Sequence, residues 1–350
     1  MSVIYFTEQG GYLRKYGETI TFEKDGETLL QRPIKDVKII VLFGNIQVSV
    51  QALLALLEAG CDISMMTQDG HFRGRMTSAL GKNSPLRQNQ IMFTTNHEFR
   101  MNIAKAIVTG KLKNGIALLK RYTYSNFNPM TAERLENIQS IITKIETCKD
   151  LDSLRGLEGS AARLYFEDFS KCFTGDIPFT GRLFFPAPDP INATLSFGYS
   201  FISRELQGIL DALGLDPYIG YFHQIKYGRA SLSLDLTEEF RHAIVDRLTL
   251  KLFNKKILDK DDFYSDSPKG GCYLKRESLK IYLKHYEEYM NEENITYSAK
   301  DKSSFRGKET TDKIDTKEFT TSYRKILWKQ AEKLKNAIEN AGFYQPFLLQ

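Results

Sequence analysis

Three segments of the chain set carboxylates or a histidine inside otherwise apolar stretches. The first, LRGLEGSAARLYFEDF, carries Glu158 on a helical pattern, followed by Gly159, Ser160, Ala161 and Ala162. Small side chains let a second helix approach closely, so a carboxylate beside them can face a helix-lined cleft; a helical glutamate is more often solvated. The second, GLDPYIGYFHQIKYGRASLSLDLTEEFRHAIVDR, brings in His223 behind the aromatic run Tyr218 to Phe222. An imidazole entering from such a run is partly buried, which suits a neutral metal ligand and also a hydrogen-bonded core histidine. The third follows with Asp235, Glu238 and Glu239. Asp235 and Glu238 have the spacing of a capping box, and carboxylates in a first helical turn complement the helix dipole. Taken together, two or three carboxylates and one imidazole form the donor set of Mg²⁺ or Mn²⁺ sites that serve phosphoryl transfer. The nitrogen favours Mn²⁺, because Mg²⁺ prefers oxygen.

The elements that must position these residues fall into two classes. Up to residue 83 the chain reads as strands, with VIYFTE, GYLRKYGETITFEKDGETLLQRP and VKIIVLFG rich in β-branched and aromatic residues and broken by Gly, Asp-Gly and Pro. Lys24-Asp25-Gly26-Glu27 predicts a tight hairpin. One helix interrupts, VSVQALLALLEAG, with Val50, Leu53, Leu54 and Leu57 expected on its apolar face and Gly60 as its stop. Gly81, Asn83, Ser84 and Pro85 predict a linker over 84–92. Helical periodicity then dominates, with helices expected near 131–147, 151–173, 193–214, 236–255, 274–290 and 317–342. The polar segment 293–316 predicts a mobile loop. The expected fold class is therefore α+β: a β-rich domain over 1–83 with one helix, then a larger all-α domain over 93–350.

With 350 residues, 42% hydrophobic and 26% charged, the chain can bury a sizeable core, which excludes disorder as a whole. The formal charge of +5 is unevenly placed: residues 1–83 hold nine basic and nine acidic side chains, so the excess lies entirely beyond them. In HEFRMNIAKAIVTGKLKNGIALLKRY, Arg100, Lys105, Lys111, Lys113, Lys120 and Arg121 face a single Glu98, a stripe suited to a phosphate backbone or to a solvated helix face. Four scattered cysteines, Cys61, Cys148, Cys172 and Cys272, lack metal-ligand spacing and predict free thiols, with Cys61 and Cys172 in the core. No stretch approaches the 18 or so apolar residues of a membrane span, and the N-terminus lacks signal-peptide character. A cytoplasmic protein without a membrane partner is expected.

The order and wording of AKAIVTGKLKNGIALLKR, LRGLEGSAARLYF, DPINATLSFGYSFI, GYFHQIKYGRASLSLDLTEEFR and YRKILWKQAEKLKNAIE closely resemble the CRISPR-associated integrase family of spacer acquisition. The resemblance spans nearly the whole chain. It implies a metal held by the positions matched by Glu158, His223 and Glu238, which would be the catalytic residues. Asp235 matches a supporting acidic position, and Glu239 remains an alternative third ligand. Asn192 and Tyr199 would orient DNA or ligands, and Arg163 would pair with a carboxylate or phosphate. Lys105, Lys111, Lys113, Lys120, Arg121, Lys226 and Arg229 are the DNA-binding candidates. Gly115 departs from the pattern, since relatives commonly carry Gln there.

The chemistry that the resemblance implies is transesterification, in which the 3′-hydroxyl of a short DNA fragment attacks a phosphodiester at the edge of a CRISPR repeat, or water takes its place, with Mg²⁺ or Mn²⁺ as cofactor. The implied partners are double-stranded fragments, repeat and branched DNA, a second copy of the chain joined through the β domain, and a smaller adaptation protein completing a hetero-hexamer. A stand-alone nuclease on branched DNA and a non-catalytic DNA-binding scaffold are the competing readings.

Overall fold

The computed structural model describes residues 2–68, 70, 72–78, 83–123, 129–175, 177, 179–183, 186–265, 270–293, 295–298 and 318–349. The N-terminal strands are β1 (Ser2–Phe6), β2 (Tyr12–Tyr16), β3 (Thr19–Lys24), β4 (Glu27–Pro33), β5 (Val37–Phe43), β6 (Gln47–Val48), β7 (Asp62–Met66) and β8 (Phe72–Met76). They form two four-stranded sheets, ordered β1-β5-β7-β8 and β4-β3-β2-β6. The predicted hairpin joins β3 to β4, with Asp25 at φ 50° and Gly26 at φ 86°, the positive angles such a turn requires.

Alternation along β5 explains how the first sheet is used. Ile40 and Leu42 point into the N-terminal core with Leu13, Phe22 and Ile63, whereas Val41 and Phe43 join the core of the helical domain. Both faces of β5 are thus buried, and the sheet is a shared wall. Ion pairs latch the wall in place. Arg75 on β8 reaches Asp62 on β7 and, at 2.5 Å, Asp211; Lys280 reaches Glu8 at 2.7 Å.

Helix α1 (Val50–Glu58) starts at the Ser49 cap and stops at Gly60, as predicted, but its buried residues are Ala52 and Leu56. Val50 and Leu54 are instead 63% and 53% exposed, so the expected apolar face is split between core and solvent.

The helical domain contains α2 (Ser84–Thr95), α3 (His97–Thr123), α4 (Pro129–Thr147), α5 (Leu151–Phe169), α6 (Pro190–Ala212), α7 (Ser231–Phe240), α8 (Arg247–Asn254), α9 (Arg276–Asn291) and α10 (Tyr323–Glu339). The segment 84–92, expected as a linker, is helical. Asn83 caps α2, Pro85 sits where a missing N–H costs nothing, and buried Gln90 donates to the Asp216 and Ile219 carbonyls. Helix α3 is central and packs against α4, α5 and α7. Between α7 and α8, Arg241–Asp246 forms a π-helical turn, a device that re-aims neighbouring side chains.

Two short hairpins were not expected among the helices: β9 (Phe263–Ser265) with β10 (Cys272–Leu274), and β11 (Ile295–Ser298) with β12 (Glu318–Thr321). The second corrects one end of the predicted 293–316 loop and the start of the predicted 317–342 helix. Residue 294 and residues 299–316 of that loop lie outside the described residues. No helix among the described residues is long and apolar enough to cross a membrane. All four cysteines are free; Cys61, Cys172 and Cys272 are buried and Cys148 is partly exposed.

Candidate metal centre

His223 is positioned by Asp235. Helix α7 begins at Ser231, four residues before the predicted cap, so Asp235 lies inside the helix and is fully buried. Its Oδ2 accepts from the backbone N–H of Tyr221 (2.6 Å) and Phe222 (3.0 Å), and its Oδ1 from that of His223 (2.8 Å). The His223 ring Nδ1 also meets Oδ1, at 2.7 Å. A carboxylate facing Nδ1 assigns the proton to that nitrogen and leaves the Nε2 lone pair for the cavity, where it lies 3.7 Å from Glu238 Oε1. Gly220 makes the approach possible, because a Cβ there would come within 2.7 Å of Asp235 Oδ2. The capping reading of Asp235 is therefore replaced by an anchor for the 220–223 loop.

An Asp235→Asn protein is expected to lose about 10- to 100-fold in affinity for a divalent ion, the usual cost of losing a carboxylate that orients a ligand. An unchanged affinity, measured with the His223 ring still in place by NMR, would remove Asp235 from this role.

Glu158 on α5 and Glu238 on α7 face each other across one cation. The Lys111 ammonium, on α3, pairs with Glu158 and lies 2.7 Å from Glu238 Oε2. Arg241 reaches the same Glu238 oxygen at 3.4 Å, its guanidinium lying 4.5 Å over the Tyr199 ring. Burial raises the Glu238 carboxyl pKa, but the Arg241 and Lys111 charges outweigh it and hold the group well below the usual carboxylate range. Glu158, His223, Glu238, Lys111, Arg229 and Arg241 all line one cavity of about 690 Å³. The small residues after Glu158 divide: Gly159 and Ala162 line the cavity, where a Cβ at Gly159 would meet nothing, and Ala161 is fully buried in the core of a helix packed against α3 and α4. Glu158, His223 and Glu238 are the residues that could hold a divalent ion. As they stand, no three His, Cys, Asp or Glu side chains among the described residues converge on one point suited to a metal.

The supporting candidates divide. Glu239 leaves the cavity altogether: it accepts from Tyr344 OH (2.6 Å), Phe347 N–H (2.8 Å) and Gln330 Nε2 (3.2 Å), and burial pushes its carboxyl up to about 7. It docks the C-terminal segment and is no alternative ligand. Asn192 is fully buried, accepts from Arg182 (2.9 Å) and Leu183 N–H (3.0 Å), and so fixes the 181–183 loop along the cavity. Tyr199 donates to buried Asp246, which also pairs with His242 and accepts from Tyr165, both at 2.7 Å. Its ring braces Arg241 from below. Gly115 makes room for this network, since a Cβ would stand 3.1 Å from Tyr165 and 3.2 Å from His242. Arg163 is exposed at the cavity edge and pairs with Glu167 at 3.5 Å.

The basic stripe of α3 does not form one surface. Lys113, Lys120 and Arg121 are exposed, Lys105 donates to the Glu146 carbonyl at 2.9 Å, and Lys111 is only 4% exposed. Lys111 is a correction to the surface DNA contact expected from charge, because it falls in the buried stripe with Ala104, Ile107, Val108 and Leu118. Lys226 is exposed, and Arg229 lines the cavity. Sequence reading missed the inward use of Lys111, and also Arg182 and Arg241. The available signals were the lysine's place in an apolar helical stripe and Arg241 one turn after Glu238.

This architecture, a two-sheet domain sharing a wall with a helical domain whose α3, α5 and α7 converge on a cavity, has solved counterparts. A casposase bound to integration product matches with a TM-score of 0.80 and 20% identity, covering 99% of this chain and 93% of that one. A chain of a Cas6-RT-Cas1–Cas2 complex matches with a TM-score of 0.77 and 22% identity; 99% of this chain is covered, spanning 36% of that longer chain. These likenesses concern the fold. In sequence, the family model for CRISPR associated protein Cas1 matches residues 4–288. The "CRISPR-associated endonuclease Cas1 3" of Thermus thermophilus is 31% identical over 353 aligned positions, covering 100% of this chain and 98% of the relative. The chain belongs to the Cas1 family.

Proposed function

We propose that this chain is a divalent-metal-dependent DNA endonuclease and integrase that inserts short DNA fragments as new spacers into a CRISPR array. The observation that carries this reading is the meeting of Glu158, His223 and Glu238, from three separate segments, on one cavity. The donor chemistry fits Mg²⁺ or Mn²⁺: a cation already lies between the two glutamates, and Asp235 presets the imidazole with Nε2 towards the cavity. When bound, the metal supplies Lewis-acid polarisation of the scissile phosphate.

The chain's own residues do the rest. Arg182, Arg229 and Arg241 line the cavity with permanent positive charge, which binds a phosphodiester and stabilises the charge that builds on its oxygens in the transition state. A fragment's 3′-oxygen forms a new bond to phosphorus as the bond to the leaving 3′-oxygen breaks. One phosphodiester replaces another, so no external energy source is needed; water in place of the 3′-hydroxyl gives cleavage. The relative named endonuclease and the casposase bound to integration product support this pair of reactions. The likeness to a chain of a Cas6-RT-Cas1–Cas2 complex supports the smaller adaptation protein as a partner. Exposed Val50 and Leu54 on α1 offer an apolar stripe for the homodimer.

The test is integration of a labelled duplex into a repeat-containing plasmid with the partner protein present. Insertion at repeat edges is expected with Mn²⁺ or Mg²⁺ and none after EDTA. Full insertion in EDTA would overturn the metal reading, and DNA binding with neither insertion nor cleavage in Mn²⁺ or Mg²⁺ would establish the scaffold reading. Branched-DNA cleavage without insertion would establish the stand-alone nuclease.

A further inference from the structure

We propose that Lys111 is a resident counter-cation whose ammonium must leave the space between Glu158 and Glu238 before a divalent ion can enter, so that loading the metal and releasing Lys111 are one exchange. The inference rests on the metal reading of the site and goes beyond it.

Three observations carry it. The ammonium contacts both glutamates, the same two carboxylates that would hold the metal. With it in place, no three donors among the described residues converge on one point. Two cations, Lys111 and Arg241, already balance Glu158 and Glu238 in the buried part of the site, so a further double charge cannot share the space without strong repulsion.

The two cations are held differently. Arg241 has its guanidinium against the Tyr199 ring and its neighbour Tyr199 bound to Asp246, which fixes it. Lys111 carries its charge on a flexible four-carbon stem and lines the cavity of about 690 Å³ into which it can swing. Before metal arrives, the lysine bridges the partly exposed Glu158 and the buried Glu238. After the exchange, the same ammonium stands on the cavity side, where a DNA phosphate would lie.

Direct Mn²⁺ binding by the full chain without DNA, read by electron paramagnetic resonance, tests this. Lys111→Met is expected to bind Mn²⁺ at least tenfold more tightly than the natural chain, with Glu158→Gln as the control that assigns binding to this site. Equal or weaker binding by a folded Lys111→Met protein would overturn the exchange while leaving the metal reading intact. Absence of Mn²⁺ binding in both proteins would overturn the metal reading and the exchange with it.

A second measurement needs no variant and decides the matter if Lys111→Met does not fold. Reductive methylation followed by mass spectrometry should label Lys111 several-fold faster once Mn²⁺ is bound. Unchanged labelling of Lys111 at saturating, bound Mn²⁺ would make it a fixed structural ion pair.

Discussion

A His223→Ala protein is expected to fold normally and to lose strand transfer by about 10³-fold or more, several kcal/mol of transition-state stabilisation at about 1.4 kcal/mol per decade. The argument separates the ring from its loop. Three of the four hydrogen bonds that Asp235 accepts come from the backbone of Tyr221, Phe222 and His223 and survive the substitution. Only the bond to Nδ1 is lost, and the ring is partly exposed, so truncation opens no core cavity. Stability should fall by about 1–2 kcal/mol. The lost imidazole is the nitrogen donor of the proposed metal set. Strand-transfer rates and denaturant midpoints measured on one preparation check both halves; activity within tenfold of the natural chain would exclude the imidazole from the chemistry.

Arg324→Met should destabilise the protein by about 3–5 kcal/mol, the cost of stranding the buried Glu205 carboxylate by removing its partner. Arg324, on α10, pairs with Glu287 on α9 at 2.7 Å and with Glu205 on α6 at 3.2 Å, and it also donates to Asn291 at 3.2 Å. Tyr5 on β1 donates to the same Glu287 at 2.5 Å. One guanidinium thus ties three helices to the first strand, at a place far from the glutamates of the cavity in sequence and in role. Burial raises the Glu205 carboxyl pKa, and Arg324 opposes it. Chemical denaturation with an unchanged slope is the measurement, and a shift below 1 kcal/mol would show that the cluster relaxes without its arginine.

Much of this was legible in the sequence, for physical reasons that can be named. Strand alternation, turn residues and helical periodicity gave the β-rich and helical halves, and Glu158, His223 and Glu238 do meet on one cavity. SLSLDL alternates like a strand and hides the first turn of α7, which makes the anchoring carboxylate of Asp235 look like a cap. The sequence shows the sign of Lys111 and not the two glutamates brought to it by other helices, so a buried counter-charge looks like surface charge. The 84–92 segment looked like a linker from Gly81, Asn83 and Pro85, yet those residues are also how a capped helix begins. The outward Val50 and Leu54 depend on which face of α1 the two sheets leave uncovered, a tertiary fact.

The thiols make the molecule its own reporter. Burial pushes Cys61 and Cys172 up to about 12 and Cys272 up to about 11, so these three are nearly inert to maleimides at neutral pH. Cys148 stands partly exposed just ahead of α5, with its sulfur 3.3 Å from the Asp150 carbonyl at the start of the helix that carries Glu158. A fluorophore attached there reports on α5 from outside the cavity, in the unmutated chain, as metal and DNA are added.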